Sequence, residues 1–305
     1  MIKEAVKSDI VILGHIAKDI IEIDGISKSV LGGAVFYGGL AGSRMGLKLA
    51  IITRLKIEDF PILEIFEKNG IKFFAYPANE TSGLKNIYST QNMEHRTYEP
   101  LGFAGAFKKE EIPEINTKFF VISPILAGEI DLELLNYLSK KFNGRLGLDI
   151  QGFIRGLKGD IVQYYSLKEK EKYEIISKVD YLKVDEIEAK ILTNLSSMSK
   201  AGKELTKIGP KEVLITHEKG ITLCLKKNVY YFPWKNKTSI GRTGRGDTAF
   251  ISYLGSRISK SPEDSLRFSA ALTSLKMQSI EPFSVPLNVV EKLIGEEYFG
   301  QSKFD

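Results

Sequence analysis

Two periodicities alternate along this chain, and that alternation limits the folds open to it. Short apolar runs of strand length recur as "SDIVILG" (Ser8–Gly14), "LKLAIITRL", "KFFVISPI", "RLGLDIQG", "VDYLKV" and "KEVLITH". Between them lie helically spaced stretches at 34–45, 58–69, 161–178, 185–192 and 197–208, and in "DLELLNYLSKKF". Strand–helix alternation predicts a parallel sheet with helices on both faces. Three more helical stretches follow from Asp247, the last after Pro286. With 305 residues, the chain is near the upper edge of what one core supports, so one α/β unit over 1–305 is expected.

Two regions break this rhythm. Residues 15–31 alternate around an Asp24-Gly25 turn, and residues 71–103 are rich in Tyr, Phe and Thr without helical spacing. Both read as short strands, the second set antiparallel. "GITLCLKKNVYYFPW" reads as a hairpin turning at Lys227-Asn228.

Composition narrows the function classes. Hydrophobic residues make up 43% of the chain, enough for a sizeable core. The net charge of +5 is spread without a long block of one sign, so no nucleic-acid surface is expected. A mild positive balance suits an anionic small substrate. Cys224 is the only cysteine, which rules out a disulfide or a cysteine metal site within one chain. Its alternating apolar context predicts a buried structural thiol in a reducing, cytoplasmic compartment. The apolar run at the N-terminus is too short for a signal peptide. Residues 31–52 have the length of a membrane span, but Arg44 and Lys48 interrupt them, so a helix followed by a strand is expected instead.

In parallel α/β sheets, ligands bind at the carboxyl ends of the strands. The glycine-rich stretch "GRTGRGDTAF" (241–250) lies at such an end, directly before a helix. Three readings compete: an ordinary loop with Asp247 as a favourable first-turn residue, an Arg-Gly-Asp adhesion tripeptide, or an anion-binding turn with a catalytic base. Backbone N–H groups at a helix start have no intrahelical partners, and the dipole adds positive charge. Glycines let an anion approach that backbone. No Gly-Lys-Ser/Thr follows, so this is not a Walker A loop.

Thr243-Gly244-x-Gly246-Asp247 resembles the second signature of the PfkB (ribokinase-like) carbohydrate kinases, Asp-Thr-x-Gly-Ala-Gly-Asp. Further features stand in that family's order. Gly14 and Asp19 in "GHIAKD" match a strand-ending glycine and a substrate-binding aspartate. Gly32-Gly33 in "LGGAVFYGG" match the opening of the first signature. "KVDEIEA" sets Asp185 and Glu188 at the family's Asn-x-x-Glu. "LITHEKG", with Thr216 and Gly220, resembles the nucleotide-side Thr-x-Gly segment. "LDIQGFIR" looks like a segment of the family's inositol kinases.

The resemblance implies a three-layer α/β sandwich with a mostly parallel central sheet and a small β-strand lid drawn from residues 15–31 and 71–103. It implies a phosphotransferase using ATP and Mg2+ on a hydroxyl of a small sugar or polyol, with a cyclitol such as myo-inositol in range. A nucleoside kinase on the same scaffold and a non-catalytic sugar sensor are the alternatives. Asp247 would be the general base, and the Gly244, Arg245 and Gly246 amides the anion hole. Asp19, Gly32 and Gly33 would orient the acceptor, with Arg96 reaching in from the lid. Asp185, Glu188, Thr216, Gly220 and Thr243 would serve the cofactor, Glu188 touching the metal only indirectly. A homodimer paired through the lid is a further implication, with neither membrane nor nucleic acid as partner.

Each assignment has a plain structural counterpart. Asp19 can be an exposed strand residue, Gly32-Gly33 a tight turn, Asp185 and Glu188 a capping pair, and Arg96 a solvated side chain. The chain also departs from the family. Gly241 replaces an acidic residue that often helps hold a monovalent cation. Arg242 and Arg245 replace a neutral pair, Tyr37 replaces an asparagine, and Glu218 stands where a glycine is usual in a segment one residue short.

Overall fold

The alternating runs become a nine-stranded sheet. The computed structural model describes residues 6–159 and 161–298, with the side chains of 92–96 outside the described set. In chain order the elements begin with β1 (Val6–Leu13), β2 (Ala17–Ile23), β3 (Ile26–Gly32), α1 (Ala34–Arg44), β4 (Leu49–Lys56), a 3₁₀ helix (Ile57–Leu63) and α2 (Glu64–Lys68). Next come β5 (Lys72–Ala78), β6 (Gly83–Ser89), β7 (Asn92–Gly102), β8 (Ile115–Ile122), α3 (Leu132–Lys141), β9 (Leu146–Asp149) and α4 (Gln151–Ile154). Then follow β10 (Arg155–Lys158), β11 (Ile161–Tyr164), α5 (Glu169–Ile176), β12 (Tyr181–Asp185), α6 (Glu186–Thr193) and α7 (Met198–Ile208). The last are β13 (Glu212–His217), β14 (Gly220–Leu225), β15 (Val229–Pro233), α8 (Arg245–Arg257), α9 (Pro262–Lys276) and α10 (Leu287–Glu297).

The main sheet runs β15-β14-β13-β12-β9-β8-β1-β4-β5. Its pairings are parallel from β13 to β5, and β14 is antiparallel to both its neighbours. The last residues of β1 and β8 are buried without alternation, as expected of strands covered on both faces. One core lies under α1, α8, α9 and α10, with Tyr37, Phe250, Leu254 and Leu272 in it. The other lies under α3, α5, α6 and α7, with Leu135, Ile176, Leu192 and Leu205. Helix starts follow their caps: Asp131, Ser197 and Ser261 each accept a first-turn amide, and Pro262 sits at the start of α9. Cys224 is buried, as its context predicts. No helix among the described residues is long and apolar enough to cross a membrane.

A second sheet, β3-β2-β6-β7, stands apart from the main one, and β10–β11 form a separate hairpin. Three expectations need correction. β5 is not part of the small sheet; it adds to β4 in parallel, so only β6 and β7 of the 71–103 region join β2 and β3. A run of aromatic and β-branched residues suits a strand without telling which sheet takes it. The helix expected over 161–178 begins only at Glu169, because Ile161–Tyr164, β-branched and aromatic, pair with β10. The helix expected over 58–69 opens as 3₁₀, with Pro61 lacking the N–H that an α-turn would use.

Candidate active site

The carboxyl ends of β9, β12 and β13 and the start of α8 converge on one side of the sheet. The turn before α8 depends on Gly244, whose φ is +80°. A Cβ there would lie 2.3 Å from the Tyr37 ring, so the position excludes a side chain twice over. α8 therefore starts at Arg245 and sets Gly246 and Asp247 in its first turn, where amides lack intrahelical acceptors. The Arg245 amide already donates to the Arg242 carbonyl (3.0 Å). That bond closes the turn and withdraws one of the three amides expected at an anion hole.

On one side of Asp247 lies a small polar cavity of about 60 Å³. Asp19, Asn86, Gln151, Arg155, Thr243 and Asp247 line it, with Gly33, Tyr37, Leu84 and Ile125. Asp19 is buried, not exposed as a plain strand residue would be, and its Oδ1 accepts the Leu84 amide (2.8 Å). Gly32 makes this placement possible, since a Cβ there would lie 2.1 Å from Asp19 Oδ2. The Arg155 guanidinium donates to the Ile125 carbonyl from Nε (3.1 Å) and Nη2 (2.8 Å) and lies over the Tyr98 ring. The small sheet reaches the turn through Tyr88 of β6, whose hydroxyl is 2.9 Å from the Thr243 hydroxyl. Thr243 thus lines this cavity. Arg96 lies on β7 and its side chain is outside the described residues.

On the other side opens a cavity of about 720 Å³ lined by Asp185, Ile187, Lys190, Ile191, Thr216, His217, Arg242 and Arg245 among others. A third cavity, of about 60 Å³, shares lining residues with both and is lined by Gln151, Lys183, Asp185, Thr216, Gly246 and Asp247, together with both arginines. Lys183 is buried at the end of β12, 3.0 Å from an Asp149 oxygen. Burial alone would depress its ammonium, but Asp149, Glu188, Asp185 and Asp247 outweigh that and raise it, so it stays charged. Its Nζ lies 2.9 Å from where a Cβ on Gly246 would sit.

Asp185 and Glu188 form a reciprocal capping box: the Asp185 amide donates to Glu188 (2.6 Å) and the Glu188 amide to Asp185 Oδ1 (2.8 Å). Asp185 still lines the cavity, while Glu188 is buried behind it, its carboxyl pushed up by burial and by repulsion from Asp185. Gly220 is buried on β14, where a Cβ would lie 2.4 Å from the Phe232 carbonyl, so packing accounts for it. Among the described residues, no three His, Cys, Asp or Glu side chains group as a metal site. Mg2+ does not need such a group, because it keeps waters and binds through phosphates. A single carboxylate at the cavity wall fits it, and Asp185 is so placed.

Sequence reasoning missed Lys183, Asp149, Asn86, Tyr88 and Lys276. Lys183 and Asp149 read as ordinary strand-end residues in "DYLKVD" and "GLDIQG". A charged residue inside a fully buried strand was the available signal.

No family model matches the chain. A cytidine kinase of Thermococcus kodakarensis is 27% identical over 258 residues, 81% of this chain and 87% of that protein. A sulfate complex of a pyrophosphate-dependent kinase in the ribokinase family superposes with a TM-score of 0.85 at 28% identity, covering 92% of this chain and 99% of that one. A pyrophosphate-dependent kinase of the ribokinase family, complexed with a pyrophosphate analog and myo-inositol, gives a TM-score of 0.83 at 26% identity over 93% and 99% of the two chains.

Proposed function

We propose that the chain is a ribokinase-family kinase, a phosphotransferase with an alcohol group as acceptor, and that its acceptor is a small polyol such as a cyclitol. The observation that carries this reading is the make-up of the small cavity. Two carboxylates, two amides and a guanidinium (Asp19, Asp247, Asn86, Gln151, Arg155) surround a confined space beside the turn. A ring of hydroxyls satisfies such groups, whereas a nucleobase needs an apolar slot. The cytidine kinase relative supports a nucleoside as the second reading.

In this account Asp19, with Gly32 and Gly33 beside it, holds acceptor hydroxyls, and Asp247 takes the proton of the reacting one. The acceptor oxygen forms a bond to the terminal phosphorus of the donor as the bond to the leaving phosphate breaks. The charge on the transferring group meets the Gly244 and Gly246 amides and the Lys183 ammonium, in place before the reaction begins. The small sheet closes over the acceptor as a lid and excludes water that would hydrolyse the donor. Asp185 on the cavity wall would hold Mg2+, which would neutralise charge on the donor. Glu188 holds the Asp185 carboxylate in place by the capping box.

The donor is a phosphoanhydride. Arg242 and Arg245 stand on the donor wall and suit a compact, highly charged donor, because guanidinium forks grip phosphate oxygens in pairs. This favours pyrophosphate. The 720 Å³ cavity with Ile187 and Ile191 on its wall supports ATP as the second donor. A screen of purified protein with pyrophosphate and ATP against inositols, sugars and nucleosides tests both choices. Transfer to myo-inositol from pyrophosphate supports the reading, and transfer to nucleosides alone overturns it.

A further inference from the structure

Lys276 ends α9 as one of the largest fully buried side chains, 1% exposed. Its ammonium has no place in the chemistry above, yet it sits directly behind the turn. Nζ donates to the Gly241 carbonyl (2.7 Å) and to the Thr243 carbonyl, and it lies 4.6 Å from the centre of the Tyr37 ring. Its partners are carbonyl oxygens and a ring face rather than a carboxylate, which is how a small monovalent cation is held. The rest of the turn is built to match. The Gly241 amide donates to the Met277 carbonyl (2.9 Å), and a Cβ on Gly241 would lie 1.8 Å from the Ser279 carbonyl. No side chain at 241 can therefore help hold a free cation, and Lys276 brings a tethered one from α9 instead. Gly244, stacked on the same Tyr37 ring, completes the clamp one residue before the α8 amides.

We propose that the Lys276 ammonium is a built-in cation that fixes the 241–244 turn, aiming the α8 amides and Asp247 at the transferring group, so that catalysis needs no added monovalent cation. Lys276 is a positioning residue, acting through the turn, and the proposal rests on the phosphotransfer reading above. Burial is the largest influence and lowers its ammonium to about 7, even with the charged groups that face it, Asp247 from α8 and Glu281 beyond the end of α9, favouring the charged form. Replacing it with an apolar side chain would leave two buried carbonyls without a donor.

The test compares wild type with Lys276→Met and Lys276→Ala, in buffers whose only monovalent cation is tetramethylammonium, too large for the clamp. Wild type should keep full kcat there. Lys276→Met should lose about 100-fold in kcat, the scale of one lost electrostatic support, with KM values little changed. Ammonium or methylammonium ions should restore part of the kcat of Lys276→Ala, which a merely structural lysine would not show. Near wild-type kcat in Lys276→Met, or a wild type that depends on added potassium, overturns the proposal. Should neither variant fold, the wild-type cation dependence decides alone. A wild type that transfers phosphate to no acceptor breaks the functional reading instead, and that outcome is distinct from an active Lys276→Met.

Discussion

The ammonium of Lys183 lies 2.9 Å from the point where a side chain on Gly246 would begin. The bare backbone at 246 therefore does two things: it exposes the α8 amide, and it lets a buried cation sit against the helix start. We expect Gly246→Ala to displace Lys183 and lower kcat more than it raises either KM. Lys183→Met should lower kcat about 100- to 1000-fold, as the loss of one preorganised charge at a transferring group does. Steady-state kinetics check both, and unchanged kcat in Lys183→Met would remove this cation from the account.

Asp19 should act on acceptor affinity. Its carboxylate is fixed by the Leu84 amide and fits only because residue 32 is glycine. Asp19→Asn should raise the acceptor KM about 10- to 100-fold, the cost of losing charge-assisted hydrogen bonds to hydroxyls, with little change in donor KM. A donor KM that moves equally would argue against this placement.

Arg242 and Arg245 should separate the two donors. Alanine at either position should raise the KM for pyrophosphate more than that for ATP, because a small donor has no other group with which to bind. Initial rates at varied donor concentration read this directly, and equal effects on both donors would count against the arginine grip.

Much of this site was legible in the sequence, and the reasons differ by residue. Gly244, Gly246 and Asp247 were readable because a glycine turn before a helix leaves a local signature, and all three line the small cavity at the start of α8. Asp185 and Glu188 read equally well as a capping pair, and the reciprocal bonds are present. Lys276 was not readable, since nothing local distinguishes a buried lysine from a solvated one, and Lys183 carried only the signal of a charge inside an apolar strand. Their meaning comes from β12 and α9 meeting the turn across 63 and 33 residues, as the spacing to Gly246 and Thr243 shows. The same limit applied to β5 and β11, whose β character was or could be read locally while their partners are tertiary facts.

A buried pair away from the chemistry makes a pH prediction. His15 and Glu129 are both fully buried, His15 Nδ1 lying 2.7 Å from Ser82 Oγ and 3.4 Å from Glu129 Oε2. Burial pushes Glu129 from 4.5 up to about 8 and His15 from 6.5 down to about 3. For Glu129 the folded state binds the extra proton, so its contribution is full below 4.5 and is lost as pH rises through about 8. For His15 the unfolded state binds the extra proton, so its contribution is full above 6.5 and is lost as pH falls towards about 3. Of this pair, only the Glu129 loss remains above 6.5. Thermal unfolding from about pH 6 to about pH 9 should show wild type losing stability more steeply than Glu129→Gln. Parallel curves would contradict this.

The central claim is that Asp247 takes the acceptor proton, and the Asp247→Asn variant tests it most directly. On the best acceptor and donor, kcat should fall about 1000-fold, within the span general bases contribute, while the acceptor Kd measured by calorimetry stays near that of wild type. A kcat within about tenfold of wild type, with binding intact, would contradict the account.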